Sequence, residues 1–430
     1  MRGTVAFCTL GCKVNQYDSQ AMLELFERAG YVAAPFSRPA DVYVINTCTV
    51  TGTGDKKSRQ MIRRAARLNP EAAIVVTGCM AQRVAEGLLL PGVRLVLGTQ
   101  RRGEVVTLLE RALAQADPVI AVEALAAGTP FEALTVRRSE GHTRATLKIQ
   151  EGCQNHCAYC IIPSVRGPIR SRPMEEIRAE AKRLVGEGFQ EIVVTGIHLS
   201  SYGKDLGGTE GLMDALRAIA DSGVQRIRLG SLEPGIVTET FVQSLSDIPA
   251  ICPQFMLALQ SGSDTVLARM GRRYTTSQYA RAVEQIRAVY PNAALTTDVM
   301  TGFPGETDEE FAQTLAFVQQ TGFARIHVFP YSRREGTRAA SMPGQVDKAI
   351  KEARAAELIA LGSQLEAQYM QRWIGRTCSV LFEEPCAGGA VGYTPEYVRV
   401  VADGTPGEIQ AVRVEAVAGG NEPTLQGRIE

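Results

Sequence analysis

The sequence predicts an α/β fold in three parts: an N-terminal doubly wound parallel sheet, a central partial (β/α) barrel and a small all-β barrel at the C-terminus. Over residues 1–115 short apolar runs alternate with helical patterns, which is how parallel strands and their crossover helices read. The alternation resumes with longer spacing from residue 142, and after Trp373 it gives way to short strand-like runs between Gly and Pro turns. A length of 430 residues agrees, since a domain takes roughly 150 residues.

In the first part the expected strands are Thr4–Phe7, Val42–Asn46 and Ile74–Thr77, and the expected helices Ser19–Ala29 and Lys57–Leu68. Asp18 or Ser19 reads as the cap of the first helix, Met22, Leu25, Phe26 and Ala29 as its apolar stripe, and Gly30 as its stop. An alanine-rich stretch over 116–141 reads as a domain connection. In the second part, 142–372, six strands are expected at Thr146–Gln150, Ile192–Thr195, Arg226–Leu229, Phe255–Leu259, Leu295–Met300 and Ile326–Phe329, with the site on the loops at their C-terminal ends. A helical pattern over Gln345–Arg372 closes this part. The last, 373–430, has candidate strands at Cys378–Phe382, Tyr397–Val401, Gln410–Val414 and Thr424–Ile429.

Lysine plus arginine and aspartate plus glutamate both number 46, so contact with a polyanion has to come from local patches. The N-terminus lacks the layout of a secretory signal, and no apolar run approaches the ~18 residues of a membrane span. A cytoplasmic protein with no membrane partner is expected, and its ten cysteines read as thiols or metal ligands sooner than as disulfides.

Cys153, Cys157 and Cys160 form a C-x3-C-x2-C set directly after the strand ending at Gln150. Three thiolates on one loop can hold three irons of a four-iron, four-sulfur (4Fe-4S) cluster and leave the fourth iron open to a small molecule. The alternative is a zinc knot, which wants four closed ligands, and the nearby candidate is His156 inside the loop itself. The spacing, with Tyr159 before the last cysteine, resembles the radical S-adenosylmethionine (SAM) superfamily. That resemblance implies SAM bound at the open iron and cleaved by an electron from the cluster. It also implies a SAM site built from Tyr159, Thr195, Gly196, Gln260, Asp298 and Gly302, with the Gly302-Phe303-Pro304-Gly305 turn, and with Glu233 on the ribose hydroxyls. Each of these also reads as ordinary turn chemistry.

A second cysteine set, Cys12, Cys48 and Cys79, falls just past the ends of three expected strands. In a parallel sheet those ends share one edge, so residues distant in sequence converge there. Cys8 could replace Cys12, but the family pattern of Gly-Cys followed by asparagine matches Gly11-Cys12-Lys13-Val14-Asn15. Cys252, Cys378 and Cys386 lie outside both sets and read as small buried or surface thiols.

The two cysteine sets followed by a small β domain resemble the methylthiotransferase family over nearly the whole chain. The resemblance implies two 4Fe-4S clusters with SAM, the N-terminal cluster holding the sulfur to be inserted. Family substrates are isopentenylated adenosine in tRNA, threonylcarbamoylated adenosine in tRNA, and an aspartate of a ribosomal protein. The segments Phe7–Ser19 and Lys148–Cys153, with Ile161-Ile162-Pro163 and Arg166-Gly167-Pro168, resemble the bacterial threonylcarbamoyladenosine branch. Ser164 departs from the pattern, which has an aromatic after the proline. Implied partners are tRNA, an electron donor such as a flavodoxin or ferredoxin, and a sulfur donor of undefined identity. The non-enzymatic alternative is a cluster protein that carries electrons or binds RNA. Two open triads argue against it, because an electron carrier closes each cluster with four protein ligands.

Candidate RNA contacts are Lys56, Lys57, Arg59, Arg63, Arg64 and Arg67 on one helix-like segment, with Arg166, Arg170 and Arg172, then Arg269, Arg272 and Arg273, then Arg333, Arg334 and Arg338 near loop mouths. The last domain resembles the TRAM module, an RNA-binding or gating barrel. From Gln371 onward it carries five arginines, no lysine and eight acids, which leaves Arg372, Arg376 and Arg399 as its expected contacts.

Overall fold

The computed structural model describes residues 2–136, 143–419 and 423–430. Its first sheet contains β1 (Gly3–Thr9), β2 (Tyr31–Ala33), β3 (Val42–Thr47), β4 (Ala73–Gly78), β5 (Val93–Leu97) and β6 (Val119–Ala121). All pairings are parallel, in the order β2-β1-β3-β4-β5-β6. Alternate residues of β3 serve opposite faces. Val42 and Val44 pack with Met22 and Phe26 of helix α1 (Lys13–Arg28), while Tyr43 and Ile45 pack with Ile62 and Ala65 of α2 (Gly52–Leu68).

Three features differ from the expectation. Strand β6 lies inside the expected connection 116–141, and Leu134 and Val136 of that stretch pack on Tyr17 and Ala21. A three-residue edge strand has too few alternations to announce itself. The remainder of that connection, 137–141, lies outside the described residues. Helix α1 begins at Lys13 with Cys12 as cap, so Asp18 is a buried mid-helix residue and not the cap. Helix α2 begins at Gly52, where the Thr51 hydroxyl accepts the Gly54 N–H at 3.1 Å; the glycines Gly52 and Gly54, poor helix formers, hid this start.

The middle part holds β7 (Arg144–Glu151), β8 (Arg170–Ser171), β9 (Glu191–Gly196), β10 (Arg226–Leu229), β11 (Gln254–Met256), β12 (Ala294–Thr301) and β13 (Arg325–Pro330). They form ladders β10-β9-β7-β8 and β11-β12-β13, which parallel bridges Ile227–Ile251 and Leu232–Leu257 join into a partial barrel of six parallel strands. Ala145, Leu147 and Ile149 of β7 join the main core, with Met174, Ile177 and Leu184 of a covering helix. The intervening Lys148 and Gln150 present polar groups on the other face. Helix Lys348–Gln371 packs Leu358 and Leu365 onto this core.

The tail closes into a five-stranded barrel, β14 (Thr377–Cys386), β15 (Gly389–Tyr393), β16 (Arg399–Ala402), β17 (Ile409–Ala418) and β18 (Thr424–Ile429), in the order β14-β15-β16-β18-β17. Strand β15 was not expected because two glycines interrupt its pattern. Arg226 and Arg228 of β10 anchor this barrel by donating to the carbonyls of Tyr393 and Pro395 at 2.9 and 2.8 Å. Among the described residues no helix is long and apolar enough to cross a membrane.

Candidate functional site

The loop after β7 carries Cys153, Cys157 and Cys160, and the top of the barrel clamps it. Cys153 N–H donates to the Gly167 carbonyl at 3.0 Å, Ala158 N–H to Met270 at 2.7 Å, and Ala339 N–H to the Ala158 carbonyl at 2.8 Å. Gly152 is required where the loop leaves the strand: its φ is +74°, and a Cβ would stand 1.9 Å from the Pro168 carbonyl oxygen. Arg272 donates to Cys157 Sγ at 3.3 Å and to Glu233 Oε1 at 2.7 Å. Burial pushes the Cys160 thiol up to about 12 and raises Cys153, so these groups hold their protons until a metal displaces them.

The second triad forms at the carboxyl edge of the first sheet. Its strand order reverses direction between β1 and β3, the switch point at which doubly wound sheets open their ligand crevice. Cys12 follows β1, Cys48 follows β3 and Cys79 follows β4. Gly11 (φ +99°) lets the first two loops touch, since a Cβ there would lie 3.1 Å from Cys48 Sγ. Asn15 stitches the same loops together by donating to the carbonyls of Leu10 and Thr47 at 2.7 and 3.0 Å. Cys12 caps α1, and Cys48 lies four residues before α2, whose Ser58 hydroxyl donates to the Cys48 carbonyl. Burial raises the Cys48 thiol above its ordinary value. Cys8 lies within β1 and packs against the core under α2, away from the tip that bears Cys12.

Arg166 links the triads. It ends the short helix Ile162–Arg166 behind Cys160, is fully buried, and donates Nε–H to Cys79 Sγ at 3.2 Å. The rest of its guanidinium reaches Asn15, Glu151 Oε1 at 2.8 Å and Asp18 Oδ2 at 3.2 Å. Lys148 bonds Asp18 at 2.6 Å and Glu151 at 3.1 Å, and Arg102 also pairs with Asp18. Burial alone would raise the Glu151 carboxyl, but Arg166, Lys148 and Arg102 outweigh it and hold the group well below its ordinary range. Asn15, Asp18, Arg102, Lys148 and Glu151 were missed from sequence as site-supporting residues; only Asn15 had a signal, its fixed place after Cys12.

Among the described residues no three or more of His, Cys, Asp and Glu close on a single metal ion, and His156, the fourth ligand a zinc knot would need, is exposed. A four-iron cube is met corner by corner, and a set of three thiolates suits it. The residues expected at SAM gather at the barrel's strand ends. Gln260 is the clearest: it is buried at φ +65° and its Oε1 has no hydrogen-bond partner, as a group waiting for a ligand would. Thr195 is buried at the end of β9 and Asp298 is half-buried on β12, its carboxyl raised by burial. Tyr159 joins Phe303, Tyr331 and Met300 in an apolar cluster under the cysteine loop. Glu233 is paired with Arg272, and His198 lies 3.6 Å away. Two glycines have packing reasons instead. A Cβ at Gly196 would strike Gln150, and one at Gly302 would lie 2.0 Å from Lys351 Cγ, so chain atoms fill the approaches expected for methionine.

The basic residues divide sharply. Lys56, Lys57, Arg63, Arg64 and Arg67 are exposed along α2, and Arg273 is exposed. Arg166, Arg170 and Arg172 are buried, Arg272 is turned inward onto Glu233 and Cys157, and Arg334 is buried against Thr49 and Asp55. These five cannot meet phosphate; they are counter-ions and donors inside the protein. Exposed Ser164 turns its hydroxyl back to the Ile161 carbonyl. In the terminal barrel Arg372 and Arg376 each donate to Asn292 Oδ1, and Arg399 donates to Thr424.

Comparison with known proteins agrees with this geometry. Residues 4–98 match the Uncharacterized protein family UPF0004, and residues 147–318 match the Radical SAM superfamily. The class defined by the fold and the two triads is therefore that of a radical-SAM protein with an added cysteine-bearing domain. The chain is 44% identical over 422 residues to the threonylcarbamoyladenosine tRNA methylthiotransferase MtaB of Bacillus subtilis (strain 168), covering 96% of this chain and 93% of that one. It is 37% identical over 385 residues to the tRNA-2-methylthio-N(6)-dimethylallyladenosine synthase of Streptomyces avermitilis, covering 87% and 75%. Among solved structures, a radical SAM methyltransferase, TsrM, from Kitasatospora setae shares the fold, with a TM-score of 0.60 at 15% identity over 79% of this chain and 77% of that one. The chain belongs to the radical-SAM methylthiotransferase family, in the threonylcarbamoyladenosine branch.

Proposed function

We propose that this protein is a tRNA methylthiotransferase that converts N6-threonylcarbamoyladenosine beside the anticodon to its 2-methylthio derivative by radical SAM chemistry. The carrying observation is the pair of three-thiolate sets, each on the carboxyl edge of its own parallel sheet, with Arg166, six residues past Cys160, donating to Cys79 of the other set. Cys153, Cys157 and Cys160 would hold one 4Fe-4S cluster and Cys12, Cys48 and Cys79 the other; when bound, the first with SAM supplies the radical and the methyl group, and the second supplies the sulfur.

The chain's own residues bind and orient. Arg272 fixes Glu233 while donating to a cluster sulfur, so one guanidinium sets the register between the cluster and the carboxylate expected on the ribose. Gln260, Thr195 and Asp298 line the strand ends, and Tyr159, Phe303 and Tyr331 form an apolar base that keeps water from below the cysteine loop. The exposed face of α2 offers Lys56, Lys57, Arg63 and Arg64 to phosphates, and Arg273 offers one more cation. The terminal barrel is assigned as a TRAM-like RNA module acting through Arg372, Arg376 and Arg399. The reading places the enzyme in the cytoplasm with an electron donor such as a flavodoxin or ferredoxin. Domains are assigned at 1–115, 142–372 and 373–430, with β6 of the intervening stretch 116–141 completing the first sheet.

Anaerobically reconstituted protein tests this reading. Replacing Cys153, Cys157 and Cys160 with alanine is expected to abolish SAM cleavage. Replacing Cys12, Cys48 and Cys79 is expected to leave SAM cleavage and abolish methylthio product. Sulfur insertion by the second variant would overturn the assigned division of labour.

A further inference from the structure

A cavity of about 460 Å3 opens where the three parts of the chain meet. Lys13, Gln16 and Gln20 of α1, Arg144 and Thr146 of β7, and Tyr397 from the terminal barrel contribute to its walls. The arginines around it are already matched: Arg144 pairs with Glu383 at 2.5 Å and Arg228 with Glu191 at 2.6 Å. Lys13 is not. It stands open to the cavity and, among the described residues, has no hydrogen-bond or ion-pair partner. A cation at a cavity wall with no partner inside the protein is free to make a charge-assisted bond to an external anion. Lys13 directly follows Cys12 in the chain, and Phe7 and Thr9 of β1, the strand that leads to Cys12, also line the cavity.

Resting on the threonylcarbamoyladenosine reading, we infer that this cavity is the subsite for the N6 substituent and that Lys13 recognises its carboxylate. The threonylcarbamoyl group is a threonine joined through its nitrogen, so it carries a free carboxylate, a hydroxyl and a carbamoyl oxygen, whereas an isopentenyl group carries none of these. The carboxylate carbon is seven bonds from adenine C2, along N1, C6, N6, the carbamoyl carbon and nitrogen, and the threonine Cα. With C2 at the triad of Cys12, that arm is long enough to carry the carboxylate to Lys13 at the cavity wall. Gln16 and Thr146 provide uncharged donors for the remaining oxygens. A charge-assisted bond discriminates an anionic substituent from an apolar one more strongly than pocket volume does.

The test measures binding of anticodon stem-loops to the full reconstituted protein, with threonylcarbamoyladenosine, its methyl ester, or unmodified adenosine at the target position. Wild type is expected to favour the free acid over the ester by roughly ten- to a hundredfold, the range of one hydrogen bond to a charged group. Lys13→Ala is expected to bind acid and ester alike, and Lys13→Arg to restore the preference, with iron content per chain confirming that Cys12 still ligates. An unchanged acid preference in Lys13→Ala would overturn the inference. So would equal weakening of all three stem-loops, which marks a backbone contact. If wild type forms no methylthio product on threonylcarbamoyladenosine at all, the underlying functional reading fails instead, and that result is distinct from either.

Discussion

Arg166 shows what a single residue decides here. It lies within hydrogen-bond reach of a ligand sulfur of one triad and one position from Gly167, whose carbonyl holds Cys153 of the other. A buried cation donating to a cluster sulfur stabilises the reduced, more negative cluster. Arg166→Gln should therefore shift the N-terminal cluster to a more negative potential in an EPR-monitored titration, and an unshifted potential would refute that role. Its counter-ions should matter for stability. Asp18→Asn removes one partner of a fully buried network and is expected to cost about 3–5 kcal/mol in denaturant unfolding. The folded pKa values of Asp18 and Glu151 are both depressed, so their stabilisation is complete above the ordinary carboxylate range and is lost as pH falls below it. Unfolding should accordingly become easier below about pH 4. The cysteines and Gly11 were legible because spacing and strand-end position are local. The fate of Arg166 was not, because a charge near a site looks the same in sequence whether it faces phosphate or a carboxylate more than a hundred residues away.

At the scale of elements, α2 combines two roles that the sequence showed only in part. Its last three or so turns, Lys57–Leu68, announced themselves through the basic stripe, while its start, hidden behind two glycines, is the end that meets the Cys48 loop. The helix thus begins at the second triad and carries exposed cations away from it. Lys57, Arg63 and Arg64 changed together to glutamine should weaken tRNA binding uniformly across sequences. The log-log salt slope should fall by about 2–3, at 0.7–0.9 per phosphate contact, with SAM cleavage intact. An unaltered slope would remove α2 from the RNA interface. Strands β2 and β6 escaped notice because three residues give no period to read, and β15 because glycine erases its apolar alternation.

Over the whole molecule, the fold class was visible in the sequence as repeated βα alternation, and so was the placing of six cysteines just past strand ends. The packing between domains was not visible. Asp18, Arg102, Lys148, Glu151 and Arg166 come from four separate segments, and only the folded chain makes them one buried network between the first sheet and the barrel. The central claim is that these two halves form one enzyme acting on threonylcarbamoyladenosine in tRNA. Nucleoside mass spectrometry of tRNA from a host lacking its own methylthiotransferases tests it most directly. Expressing this chain should add one methylthio group to threonylcarbamoyladenosine, and the Cys12, Cys48 and Cys79 triple alanine variant should add none. A gain confined to isopentenyladenosine, or no gain on any nucleoside with both clusters loaded, would contradict the account.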